Sequence, residues 1–201
     1  MQDNTQRETD IDIEELKTNK EFLANLELLK DEMFEQKSLI KGYQLLDSLI
    51  LIEAEEDRIN EVFTFIVNEA FDKLATYLIT KKFFDMNIQE DISTIRAIYE
   101  HAIQTYSDNS TKSAKELFLV LNYVINYPKL QDAMMVHAIS VMNGTKFDDF
   151  MSNIADNSKY DESDPLAYFL TNFQVDINKF YKNNDKYIQK ANNELKVLKE
   201  Q

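Results

Sequence analysis

Only two glycines and two prolines occur among the 201 residues of this chain, and this scarcity constrains its fold more than any other feature. An average protein of this length carries roughly fourteen Gly and ten Pro. Hairpin turns and phosphate-binding loops depend on Gly for positive φ and close backbone approach, so few of them can form here. The sequence therefore predicts an all-α fold: an antiparallel helical bundle of about seven or eight helices with a long C-terminal helix.

Helix starts are expected near residues 91, 111, 129 and 145, an almost even spacing. Such spacing is typical of short helical hairpins, and it leaves an α-solenoid-like array open as a less favoured alternative to the bundle. Residues 12–37 show the apolar period of one helix, and residues 43–84 contain neither Gly nor Pro. The 43–84 segment is interpreted as two helices broken near Glu55–Asp57, although one long helix also fits.

The long C-terminal helix is predicted to begin at Asp164 and Pro165, because an acidic N-cap followed by Pro is a typical helix start. Apolar residues then recur in a heptad-like pattern at Leu166, Leu170, Phe173, Ile177 and Phe180. The pattern weakens from Asn183 and Asn184 onward. The helix is therefore expected either to continue to residue 198 or to give way to a weakly packed tail.

Three regions are expected along the chain. Residues 1–10 are almost wholly polar, which predicts a disordered N-terminus. Residues 11–184 are predicted to form a single all-α domain. Residues 185–201 are predicted to form a basic helical tail, continuous with the preceding helix or separate from it. A homodimer formed through this C-terminal helix is left open.

Cysteine is absent, which excludes disulfides, thiolate zinc sites and cysteine nucleophiles. Residues 1–15 have neither the basic nor the apolar region of a signal peptide. Apolar runs such as Leu49–Ile52 are far shorter than the roughly 20 residues that span a bilayer. We therefore expect a soluble, cytoplasmic protein.

The net charge of −14 is unevenly distributed. Residues 1–100 hold 23 acidic and 11 basic side chains, whereas residues 101–201 hold 13 and 11. Residues 179–201 are locally basic, with six Lys against three acidic residues. An acidic body repels phosphates, so direct binding to nucleic acid or to an anionic membrane is not expected. A protein partner is favoured.

Metal binding has only weak candidates: Glu53, Glu56 and His101. The two glutamates belong to an acidic run next to Arg58, and such a run is more often a solvated face than a cation site. Di-iron bundles place Glu three residues before each His ligand, and neither His101 nor His137 has it. His137 is instead interpreted as a core residue. No metal, cofactor or catalytic residue is predicted.

Two groups of residues are candidates for binding a partner. Methionine adapts to varied apolar surfaces, although it also fills cores. Methionines and phenylalanines cluster in one region: Met134, Met135, Met142, Phe147, Phe150 and Met151. Tyr187 and Leu198 lie on the apolar side of the predicted C-terminal helix.

These features favour a non-enzymatic protein-interaction module, such as an adaptor, chaperone, immunity protein or inhibitor that uses its helical faces. One alternative is an acidic mimic of nucleic acid that blocks a DNA- or RNA-binding protein. The other is a helical enzyme, either metal-dependent or phosphatase-like. For the phosphatase-like version, Asp185 and Gln189 share a helix face and could together position water.

Overall fold

The computed structural model describes residues 12–159, 164 and 166–200. The predicted disorder of residues 1–10 therefore lies outside the described residues. The all-α class and the helix-on-helix packing of a bundle are confirmed for the described part of the chain. It contains ten α-helices: α1 (Ile13–Thr18), α2 (Lys20–Gln36), α3 (Leu39–Leu51), α4 (Glu56–Thr80), α5 (Gln89–Ser107), α6 (Thr111–Val124), α7 (Pro128–Met142), α8 (Phe147–Asn153), α9 (Ile177–Asn183) and α10 (Asp185–Glu200).

Polar caps and short turns separate the first helices. The 12–37 segment was expected to be one helix, but Asn19 divides it. The Asn19 side chain accepts hydrogen bonds from the backbone N–H groups of Glu21 and Phe22, so it caps α2 where α1 ends. The segment 43–84 contains two helices, because residues 52–55 leave the helical path between α3 and α4.

The chain divides into two compact units, with the boundary between Ile66 and Val67 inside α4. The sequence predicted a single domain over residues 11–184. Gly and Pro are both absent near the boundary, so no helix-breaking residue marks it.

In the first unit, α2 and the beginning of α4 run parallel. Three side-chain contacts join residues 31 positions apart: Glu27 with Arg58, Lys30 with Glu61, and Phe34 with Phe65. Gly42 of α3 lies close to both helices, beside Met33 of α2 and Ile66 of α4. A Cβ at Gly42 would lie 2.8 Å from Ile66 Cγ1 and 3.5 Å from Met33 Sδ. The helices approach this closely only because residue 42 has no side chain.

In the second unit, α5, α6 and α7 form two successive antiparallel hairpins with three-residue connections at 108–110 and 125–127. Asn122 and Gln131 brace the second hairpin, since each side chain donates a hydrogen bond to the backbone oxygen of the other residue. The core between these helices is aromatic, with Tyr99, Phe118 and Phe150 buried around His137.

The predicted helix from residue 164 to 176 is wrong. Leu166 and Phe169 are buried, but residues 166–176 form turns and one isolated bridge between Ala155 and Phe173. Their backbone pairs with a distant segment: Asp156 N–H donates to Asn172 O, and Gln174 N–H donates to Ile154 O. The role predicted for Pro165 lies outside the described residues.

The last part of the chain forms two helices. Asn184 interrupts the helical path between α9 and α10, where the apolar pattern of the sequence weakens. Helix α10 packs on α6 and α7, which are far from it in sequence. Each repeat of a solenoid contacts only its neighbours, so a bundle describes this unit better than an array of hairpins.

Candidate functional site

Helices α6 and α10 lie side by side in the same direction and form the most distinctive surface of the second unit. A salt bridge of 2.6 Å joins Lys115 Nζ to Glu194 Oε2. On one side of this pair the first turn of α6 lies near Lys190, and on the other side Leu119 lies near Val197 and Leu198. Residues of α10 therefore face those of α6 that precede them by about 79 positions.

An apolar groove of about 250 Å³ lies beyond the salt bridge; we call it the α6–α10 groove. Its lining residues are Glu116, Leu119, Val120, Glu194, Val197 and Leu198. Leu119 is buried at its floor, whereas the Val197 side of the groove is open, with 54% of that residue exposed. Helix α10 buries Ala191 and Leu195 against the bundle and presents Val197 beside this contact.

A second depression of about 260 Å³ lies on the other side of the salt bridge; we call it the basic pocket. Its lining residues are Thr111, Lys112, Lys115, Val141, Met142 and Lys190. Lys115 is paired with Glu194, but neither Lys112 nor Lys190 forms an ion pair with any residue that the structure describes. Two ammonium groups without an ion pair in the described part of the chain therefore flank this pocket, on a chain whose net charge is −14.

The residues predicted to bind a partner are distributed between the core and this surface. Met134 and Phe150 are fully buried and belong to the core. The prediction that these two residues contact a partner is therefore corrected. The other members of the Met–Phe cluster are half-buried: Met135, Met142, Phe147 and Met151. Phe147 packs edge-on against the Tyr106 ring.

Of the predicted partner residues, only Met142 and Leu198 line the α6–α10 groove or the basic pocket. Tyr187 is half-buried on α10, with Lys186 Nζ 4.6 Å from its ring centroid. Sequence reasoning missed Lys112, Lys190 and Val197. No local signal marked their proximity, because residues 125–184 separate the two helices that bring them together.

The three weak metal candidates lie apart from any cluster of ligands. Glu53 is exposed and bonded to Lys17, Glu56 lies exposed in the first turn of α4, and His101 packs edge-on against Phe71. Among the described residues, no three His, Asp or Glu side chains are grouped closely enough to hold a metal ion. In the Asp185–Gln189 pair, the Gln189 amide donates to the Asp185 carboxylate at 2.7 Å.

The buried side chains of Asp91 and His137 in the second unit both have hydrogen-bonding partners. The Asp91 carboxylate binds Lys73 Nζ at 2.8 Å and accepts from the backbone N–H of Asp85 at 2.9 Å. The His137 imidazole contacts Tyr99 Oη at 3.2 Å and the Ala133 carbonyl at 2.7 Å. Neither group faces the α6–α10 groove or the basic pocket, and both join elements of the core.

No helix in the described part of the chain combines the length and the apolar character that crossing a membrane requires. Comparison of the chain with protein-family models, with curated proteins and with solved structures found no match. The α6–α10 surface is therefore interpreted from its own geometry.

Proposed function

We propose that this protein is a non-enzymatic protein-interaction module that binds a helix of its partner in the α6–α10 groove. The observation that carries the proposal is the apolar lining of that groove, with Leu119 at its floor and Val197 half exposed at its edge. Grooves between two helices commonly accept the apolar face of a third, through side chains spaced three and four positions apart.

The free energy of binding would come mainly from burying the exposed apolar surface. Fully burying a Val side chain contributes about 1.5–3 kcal/mol, and Val197 is already half covered. Leu198 and Val120 add further surface along the same edge. The groove is therefore large enough for one or two apolar anchors of a partner helix rather than for an extended interface.

The nucleic-acid mimic remains a prediction with less support. A mimic needs a row of unpaired carboxylates, and part of the acidic surface of the first unit does not meet this need: the carboxylates of Glu14, Glu27, Glu53 and Glu61 are bonded to Lys or Arg side chains. These ion pairs lower the local negative potential that such a mimic would present.

The test uses a displayed library of helical peptides of about 18 residues, roughly 27 Å long, selected on the full chain. We expect enrichment on the natural sequence and its loss on Val197→Glu, because a carboxylate without a partner would then line the groove. The affinity of a selected helix should fall at least about tenfold. Asn192→Glu is the matched control, because it adds the same charge at an exposed position of α10.

A photo-reactive residue at Val120, introduced in the source cells, tests the natural partner. The proposal requires a protein adduct that disappears when the selected helix is added as a competitor. Equal enrichment on the natural chain and on Val197→Glu would overturn the proposal.

A further inference from the structure

We propose that the partner helix carries acidic side chains about two helical turns away from its apolar anchors, and that the basic pocket binds them. This inference rests on the proposed function, since it specifies the partner of the same surface. It follows from the position of the basic pocket, which adjoins the α6–α10 groove across the Lys115–Glu194 salt bridge.

The charges around the pocket favour an anionic group. Lys112 and Lys190 approach it from two different helices, and neither is neutralised by a described residue. The ammonium of Lys115 is already bound to Glu194, and none of the residues lining the pocket is acidic. The apolar wall formed by Val141 and Met142 reduces the access of water to one side, which strengthens an ion pair formed there.

The parallel arrangement of α6 and α10 fixes the spacing. Lys112 and Val120 are eight positions apart on α6, and a helix rises 1.5 Å per residue, so the two sites lie about 12 Å apart along the axis. A partner helix aligned with the surface would bridge this distance with seven or eight residues, or about two turns. The acidic group would lie toward the start of α6 and the apolar anchors toward its end.

The choice of a protein helix over an anionic membrane follows from the shape of the site. The apolar part is a groove between two helices, and Glu116 and Glu194 stand on its borders. A surface of anionic lipid would meet these carboxylates directly, whereas a single helix can place its own polar residues beside them.

The experiment examines the sequences of the helices selected on the natural chain. We expect Asp or Glu to be enriched seven or eight positions from the apolar anchors, and a synthetic copy of one such helix to bind more weakly as salt is added. The double variant Lys112→Glu and Lys190→Glu should weaken that helix about tenfold or more, because each substitution sets like charges against each other. Lys82→Glu is the control, since Lys82 is exposed and lines neither site.

Three outcomes separate this inference from the proposed function. Acidic enrichment at that spacing, with loss of affinity on Val197→Glu and on the double variant but not on Lys82→Glu, supports both. Selected helices without an acidic bias, which bind the double variant normally and fail on Val197→Glu, overturn the acidic-partner inference and leave the groove as a binding site. Helices whose binding is insensitive to Val197→Glu overturn both.

Discussion

The His137 imidazole shows how a single polar residue is accommodated in an apolar core. Burial raises the pKa of the Tyr99 phenol, which therefore stays protonated and donates to His137 Nε2. His137 Nδ1 carries the ring proton, because its partner is the carbonyl of Ala133. Tyr99 Oη also accepts the backbone N–H of Leu170 at 3.1 Å. One tyrosine thus ties the non-helical segment 166–176 to both α5 and α7.

This arrangement predicts a loss of stability in mild acid. Burial lowers the pKa of His137 from 6.5 to about 4, because the charged ring would lose its hydration. As the pH falls below 6.5, the unfolded chain binds a proton that the folded chain does not, so the free energy of unfolding decreases until the pH reaches the folded pKa. Between pH 7 and pH 5 the free energy of unfolding decreases by about 2 kcal/mol.

The measurement is urea unfolding of the natural chain and of His137→Phe near pH 7 and near pH 5. Carboxylates titrate in both proteins, so the difference between their pH dependences isolates the histidine. Over this range the free energy of unfolding of His137→Phe should decrease by about 2 kcal/mol less than that of the natural chain. The same pH dependence in both proteins would contradict the neutral, buried histidine.

Helices of this chain are delimited by side-chain caps more often than by Gly or Pro. Asp12, Asn19, Ser38 and Asp176 each accept backbone N–H bonds at a helix start. A sequence with so little Gly and Pro can still start separate helices, because short polar side chains satisfy the N–H groups that the first turn leaves free.

Asn19→Ala is expected to destabilise the start of α2 by about 1 kcal/mol, because the N–H groups of Glu21 and Phe22 would lose their acceptor. Asn19→Asp is the matched control, since its carboxylate keeps both bonds and suits a helix N-terminus. Hydrogen exchange at Glu21 and Phe22 measures the effect. Unchanged exchange in Asn19→Ala would show that the cap contributes little.

Single elements differ in how far the sequence predicted them. Helix starts expected near 91, 111, 129 and 145 occur at 89, 111, 128 and 147. None of these four helices has a side-chain N-cap bond, so their apolar periods, and Pro128 in the first turn of α7, are the local signals that indicate them. The helix predicted around Leu166 and Phe169 is wrong, because contacts with distant residues determine the structure of this segment. Its apolar spacing reflects burial, but its backbone bonds go to residues 154–156 and to Tyr99, which no local pattern reveals.

At the scale of the whole molecule, the first unit depends on close packing at one glycine. Gly42→Ala would place a Cβ against Ile66, which is buried and not free to move aside. Such overpacking costs about 1–3 kcal/mol, and the better helix propensity of Ala returns up to about 1 kcal/mol. We expect a net loss of about 1–2 kcal/mol.

Hydrogen exchange shows where that loss falls. If the two compact units open separately, Gly42→Ala lowers protection in α2 and α3 and leaves α5 to α7 unchanged. Equal loss of protection throughout the chain would indicate one cooperative structure instead. Adding Ile66→Ala serves as the control, because the double variant should be less destabilised than the sum of the two single changes.

The fold class followed from composition, whereas the division into units and the candidate site did not. Met142 and Leu198 were named from local patterns and lie along the α6–α10 surface. Lys112, Lys190 and Val197 were missed because their proximity depends on the packing of α10 against α6. A single sequence carries no signal of that packing.

The pairing of α6 with α10 also has a kinetic consequence. The hairpins of α5, α6 and α7 close over three-residue connections, but Lys115 meets Glu194 only when a loop of 79 residues has closed. The entropy of closing a loop rises with its length, so contacts between distant segments form more slowly than local ones. We expect α10 to dock last during folding, so a newly made chain would form the α6–α10 groove only after the rest of the second unit is in place.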